Sequence, residues 1–95
     1  MAKISSRADQ VENAEAIALQ GLTFLASEPQ RLARFLSLTG IDPQELRSWT
    51  EAPRLQAAVL EHLLGDESLL LVFAAETATA PAAVAPAHAV LAGLG

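Results

Sequence analysis

The stretch Thr39-Gly40-Ile41-Asp42-Pro43-Gln44-Glu45 decides the fold. A glycine in the left-handed conformation ends a helix, and Ile41 behind it then falls back onto Leu36, the apolar contact of a Schellman stop. Asp42 has the side chain of an N-cap. Pro43 suits a first helical position, where no N–H is needed, and Glu45 is spaced to reach back to the cap as in a capping box. One helix stops here and the next begins at once.

Outward from this corner the same punctuation recurs. Upstream, Leu32, Phe35, Leu36 and Leu38 mark a second helix that ends at Gly40. It is preceded by Ser27-Glu28-Pro29, in which Ser27 or Glu28 caps and Pro29 occupies the first turn. Before it, Ala14, Ile17, Ala18, Gly21, Leu22 and Leu25 recur at helical spacing and predict a first helix from about Asp9 to Ala26. Gly21 inside that stripe costs about 1 kcal/mol of helix propensity relative to alanine, which predicts close approach by another helix.

Downstream, a short third helix runs from Pro43 to about Thr50 with Leu46 and Trp49 on one side. Ala52-Pro53 interrupts it, because the residue before proline is pushed out of the helical region. Leu55, Val59, Leu60, Leu63 and Leu64 mark a fourth helix, Pro53 to Leu64, stopped by Gly65; Asp66 caps a fifth, Glu67 to about Glu76. Within it, Leu69–Ala75 is apolar all round, a pattern shared by buried strands and buried helices. The stop-and-cap ahead of it and the lack of a partner strand select a buried helix, expected at the centre of the bundle. The fold class is therefore all-α, a compact orthogonal bundle of five or six short helices. Residues 1–8 are expected to be a flexible N-terminus and 9–76 the helical domain. Residues 77–95 form an Ala/Pro-rich tail with room for one further short helix, Pro86 to Leu91.

Composition agrees with this reading. Ninety-five residues make one domain, and a hydrophobic share of 52% carried mainly by Leu and Ala favours helix. Without cysteine, a disulfide framework, a thiolate nucleophile and a zinc–thiolate site are excluded. A formal charge of −5 disfavours phosphate backbones and anionic lipid headgroups. Met1–Asp9 lacks the apolar core of a signal peptide, and the longest apolar run falls short of the roughly 20 residues that span a bilayer. A cytoplasmic protein without membrane contact is expected.

Three segments carry a resemblance: Ala14-Glu15-Ala16-Ile17-Ala18-Leu19-Gln20, Arg34-Phe35-Leu36-Ser37-Leu38-Thr39-Gly40-Ile41-Asp42-Pro43, and His62-Leu63-Leu64-Gly65-Asp66-Glu67-Ser68-Leu69-Leu70-Leu71. In order and spacing, from Ala14 to Ala75, they resemble a family of short alphaproteobacterial proteins known as domain of unknown function family 3572. The resemblance implies a bacterial, cytoplasmic, helical protein and carries no functional residue with it. The tail, richer in Ala and Pro than a final helix, departs from the family pattern.

Chemistry-bearing constellations are few. His62 and Asp66 have the spacing of helical metal ligands, with Glu61 and Glu67 adjacent. Gly65 breaks the helix between them, so capping by Asp66 and a surface histidine account for the group, and no metal or other cofactor is expected. His88 lies in the tail. No Gly-x-Ser-x-Gly elbow, glycine-rich phosphate loop or nucleophile–base pair occurs, so an enzyme is not expected. The corners at Gly40-Asp42 and Gly65-Asp66 look like helix-turn-helix junctions. After Gly65 the chain is acidic and then apolar; after Asp42 it offers Gln44, Arg47 and Ser48 among Glu45 and Glu51. A DNA-associated regulator using the Gly40-Asp42 corner is the alternative to the leading reading, with nucleic acid disfavoured by charge.

The leading reading is a protein-interaction or adaptor module. Glu61, Asp66, Glu67 and Glu76 fall in one stretch without a compensating base. Helix dipoles explain acids in a first turn, as at Asp66 and Glu67, but not Glu61 near a C-terminus or Glu76. These acids mark a surface for an unknown, basic protein partner. Trp49 is the second candidate, with a core position preferred over an interface one. Homo-oligomerisation is left open.

Overall fold

A computed structural model describes residues 6–94 of the chain. Five α-helices follow one another: α1 (Arg7–Ala26), α2 (Pro29–Thr39), α3 (Pro53–Leu64), α4 (Glu67–Thr77) and α5 (Val84–Leu94). Two 3-10 helices, Pro43–Glu51 and the single turn Pro81–Ala83, link α2 to α3 and α4 to α5. No strand occurs among the described residues, so the all-α bundle stands. The five prolines share one rule: each lies in the first turn of a helix, where its missing N–H has no partner to lose.

α1 starts earlier than its apolar stripe. Ser6 caps it: its hydroxyl accepts the Asp9 N–H at 3.1 Å and the Asp9 carboxylate accepts the Ser6 N–H at 3.5 Å. Of the expected flexible N-terminus, residues 6–8 are therefore cap and first turn; residues 1–5 lie outside the described residues. Ser27 turns back to α1, donating to the Phe24 carbonyl at 2.6 Å, so α2 starts without a side-chain cap.

The central corner forms as its residues dictate. Gly40 is left-handed at φ 72°, and its N–H reaches the Leu36 carbonyl at 2.9 Å. Thr39 Oγ1 accepts the Ile41 N–H at 3.3 Å, so the stop is the single-bond left-handed motif rather than the two-bond Schellman one. Asp42 Oδ1 accepts from Gln44 N–H at 2.9 Å, and Glu45 Oε2 accepts from Asp42 N–H at 2.8 Å. That backbone bond, and then the Arg54 guanidinium at 3.0 Å, hold the Glu45 carboxyl below the usual range. Asp42→Ala is expected to cost about 0.5–2 kcal/mol in a denaturant titration, and Glu51→Ala little; equal losses would contradict the capping role.

α3 is the central helix. Leu55, Val59, Leu60 and Leu63 are each at most 1% exposed. Gly21 lets α1 approach it: a methyl group there would stand 2.8 Å from Val59 Cγ1 and 3.3 Å from Leu63 Cδ1. α4, expected at the centre, packs by one side only. Phe73 and Ala74 are buried, whereas Leu71 and Val72 are 53% and 40% exposed. A run that is apolar all round names no inner face, and α3 with its polar residues already fills the middle.

The tail holds the further helix for which the sequence left room, longer than Pro86 to Leu91 and packed into the core. Val84, Ala87 and Leu91 are buried, and α5 packs against α1 and α3 as a full wall of the core. α4 ends with Ala78 left-handed at φ 54° and the Thr79 N–H on the Ala74 carbonyl at 3.1 Å. Alanine is strained there, so Ala78→Gly should raise the thermal midpoint, by about 0.5–1 kcal/mol of stability; a lower midpoint would argue against that backbone conformation.

Candidate functional site

The α3–α4 corner is built by local bonds. The Gly65 N–H closes α3 on the Glu61 carbonyl at 2.9 Å, and Asp66 Oδ1 accepts the Leu69 N–H at 3.1 Å to open α4. Facing the end of α2, this corner bounds an open groove of about 570 Å³, lined by Arg34, Leu38, Thr39, Ala58, Glu61, His62, Gly65, Asp66, Glu67 and Ser68. Leu38 stands 64% exposed at its edge. Three of the four acids marked in the sequence thus meet in one place.

His62, half-buried, sets its ring edge-to-face against Phe35 at 5.2 Å between centroids. Desolvation, and then the Arg34 charge, push its pKa below the ordinary 6.5, with Asp66 opposing them. The unfolded chain therefore takes up a proton in a range where folded His62 stays neutral. Stability is full above the ordinary histidine value and falls as pH drops through the folded one. Urea midpoints measured between about pH 7.5 and pH 5 should fall with acidification, and His62→Phe should flatten the part of the slope nearest neutrality. An unchanged slope would assign it to other groups.

Glu61 has a neighbour that the sequence hid. His88 Nε2 lies 3.5 Å from Glu61 Oε2, because α5 brings the supposed tail against α3. Glu76 does not join the other acids: it lines a separate groove between α1 and α4 with Leu19, Thr23, Phe24, Ser27 and Thr77. Trp49 is 8% exposed and belongs to the core, with its edge on a pocket shared by Glu12, Glu15, Ala16, Leu19, Thr50 and Gln56. No single residue signalled Leu19, Leu38 or Gln56 in advance, because only the packing decides which leucine stays outside and which glutamine goes in.

Among the described residues no group of three or more His, Asp or Glu is gathered to hold a metal ion. The helix after the Gly40-Asp42 corner is a 3-10 helix that turns Trp49 inward and leaves Gln44, Arg47 and Ser48 exposed. No single described helix is long and apolar enough to cross a membrane; α4 and the segment Pro81–Leu94 pass together but meet at a bend of 107°.

No curated protein and no solved structure is significantly similar to the chain. A family model described as protein of unknown function (DUF3572) matches residues 11–94, and so includes α5 and the segment that seemed to depart from the pattern. With nearly its whole length matched, the chain belongs to this DUF3572 family.

Proposed function

We propose that the chain is a non-catalytic, cytoplasmic protein-interaction or adaptor module of alphaproteobacterial origin, which takes a partner with a basic surface at the groove between α2 and the α3–α4 corner. The observation that carries this reading is the meeting of Glu61, Asp66 and Glu67 in one open groove beside the exposed Leu38. Carboxylates at a rim steer a cationic partner and set its register, and an exposed leucine gives it apolar area to cover. Asp66 and Glu67 also serve the start of α4, but that role leaves their outward charge available. Arg34 and His62 in the same groove favour a partner carrying both signs, with basic charge in excess.

The test is affinity capture from the native extract on immobilised wild type, Glu61→Lys/Glu67→Lys and Glu76→Lys. Asp66 is left intact because it caps α4. The reading expects a basic protein held by wild type and by Glu76→Lys but released by the double reversal. Identical capture on all three contradicts it. Retention on heparin at moderate salt would support the DNA-associated alternative at the Gly40-Asp42 corner instead.

A further inference from the structure

We propose that the pocket in front of Trp49 is a second recognition site, which takes an arginine side chain of a partner polypeptide. It lies apart from the groove described above, and the inference does not depend on that reading. Glu12, Glu15 and Leu19 fall on one face of α1, opposite Trp49 and Gln56, and together they bound an open pocket of about 380 Å³.

Gln56 carries the argument. It is 2% exposed, the one buried polar or charged side chain among the described residues. Its Nε2 donates to the Trp49 carbonyl at 2.6 Å, which fixes the amide orientation. Its Oε1, covered from solvent, accepts no hydrogen bond from any described residue. A buried acceptor without a donor is disfavoured, and an N–H entering from the pocket removes that penalty. Gln56 lines the pocket, so a donor seated there reaches the oxygen once the covering side chains shift aside.

The rest of the pocket states what sort of donor. The rim bears the Glu12 and Glu15 carboxylates, neither in an ion pair with a described residue, so a cation is favoured. Leu19, 51% exposed, supplies an apolar wall for a methylene stem. Two carboxylates and a neutral acceptor match a guanidinium, which spreads five donors over a rigid plane and sheds water more readily than an ammonium. Leu19 also lines the neighbouring groove between α1 and α4, so residues flanking the arginine meet a continuous surface. That continuity fits a polypeptide better than a free amino acid.

The test is a nuclear magnetic resonance titration of the full chain with a blocked Ala-Arg-Ala tripeptide. Parallel titrations use the lysine analogue and the neutral citrulline analogue. The arginine peptide is expected to give saturable shifts at the Gln56 side-chain amide and the Trp49 indole. Binding should weaken about tenfold with citrulline or in Glu12→Gln/Glu15→Gln, and severalfold with lysine. Glu12 is exposed and Glu15 half-buried, and glutamine keeps the size and shape of glutamate, so the double variant keeps its fold. Absence of shifts at Gln56 and Trp49, equal affinity for arginine and citrulline, or affinity unchanged in the double variant would each overturn the site. Equal affinity for lysine would overturn the assignment to arginine.

Discussion

Phe73→Ala is expected to lower the unfolding free energy by about 3–5 kcal/mol, most of what a domain of this size has. Phe73 is fully buried, and its ring meets Phe24 edge-on at 5.6 Å between centroids. Phe24 is in turn covered by the Arg31 guanidinium at 4.4 Å, so the two rings join α1, α2 and α4 in one contact. Truncation leaves a cavity that rigid neighbours fill only in part, and that residual void adds to the lost transfer energy. Chemical denaturation of the variant should show a much lower midpoint with the slope retained. A midpoint near that of wild type would mean that α4 does not dock through Phe73.

Deletion of α5, by a stop after Ala80, is expected to remove cooperative folding altogether. Val84 and Leu91 are fully buried and Ala87 nearly so, between α1 and α3. Burying a Val or Leu side chain contributes roughly 1.5–3 kcal/mol each, and the deletion also opens the apolar faces of the two helices that α5 covers. The total rivals the 5–15 kcal/mol of a typical domain. Thermal melting followed by circular dichroism should show a shallow, non-cooperative loss of helix. A sharp transition close to that of the full chain would mean that the segment is an appendage after all.

What the sequence revealed and concealed follows from the kind of signal each element carries. The Gly40-Asp42 corner, the Asp66 cap and the prolines Pro29, Pro43 and Pro53 are local devices, complete within a few residues, and each appears where its chemistry places it. Gly21 announced a close helix approach, and Val59 and Leu63 supply it. The extent of α5 and its place in the core were hidden because it has no charged face to contrast with its buried one, and Pro81 and Pro86 looked like breakers rather than first-turn residues. α4 misled for a related reason: seven consecutive apolar residues, Leu69–Ala75, give length and hydropathy but no direction.

The same division holds for the surface. Glu61, Asp66 and Glu67 are neighbours in sequence across one corner, so their meeting was legible, whereas Glu76 lies beyond a full helix and faces another groove. His88 beside Glu61, and Glu12 and Glu15 beside Gln56, are joined only by tertiary packing. Trp49 is buried in the core, and only its edge borders a pocket.

The acids at the α3–α4 corner are proposed to receive a basic partner. The most direct measurement is the association rate of the captured partner with wild type and with Glu61→Lys/Glu67→Lys, across salt from about 0.05 to 0.5 M, where the screening length shrinks severalfold. The wild-type rate should fall steeply with salt, the double reversal should be slower and nearly independent of salt, and Glu76→Lys should follow wild type. A wild-type rate indifferent to salt and unchanged by the double reversal would contradict the proposal.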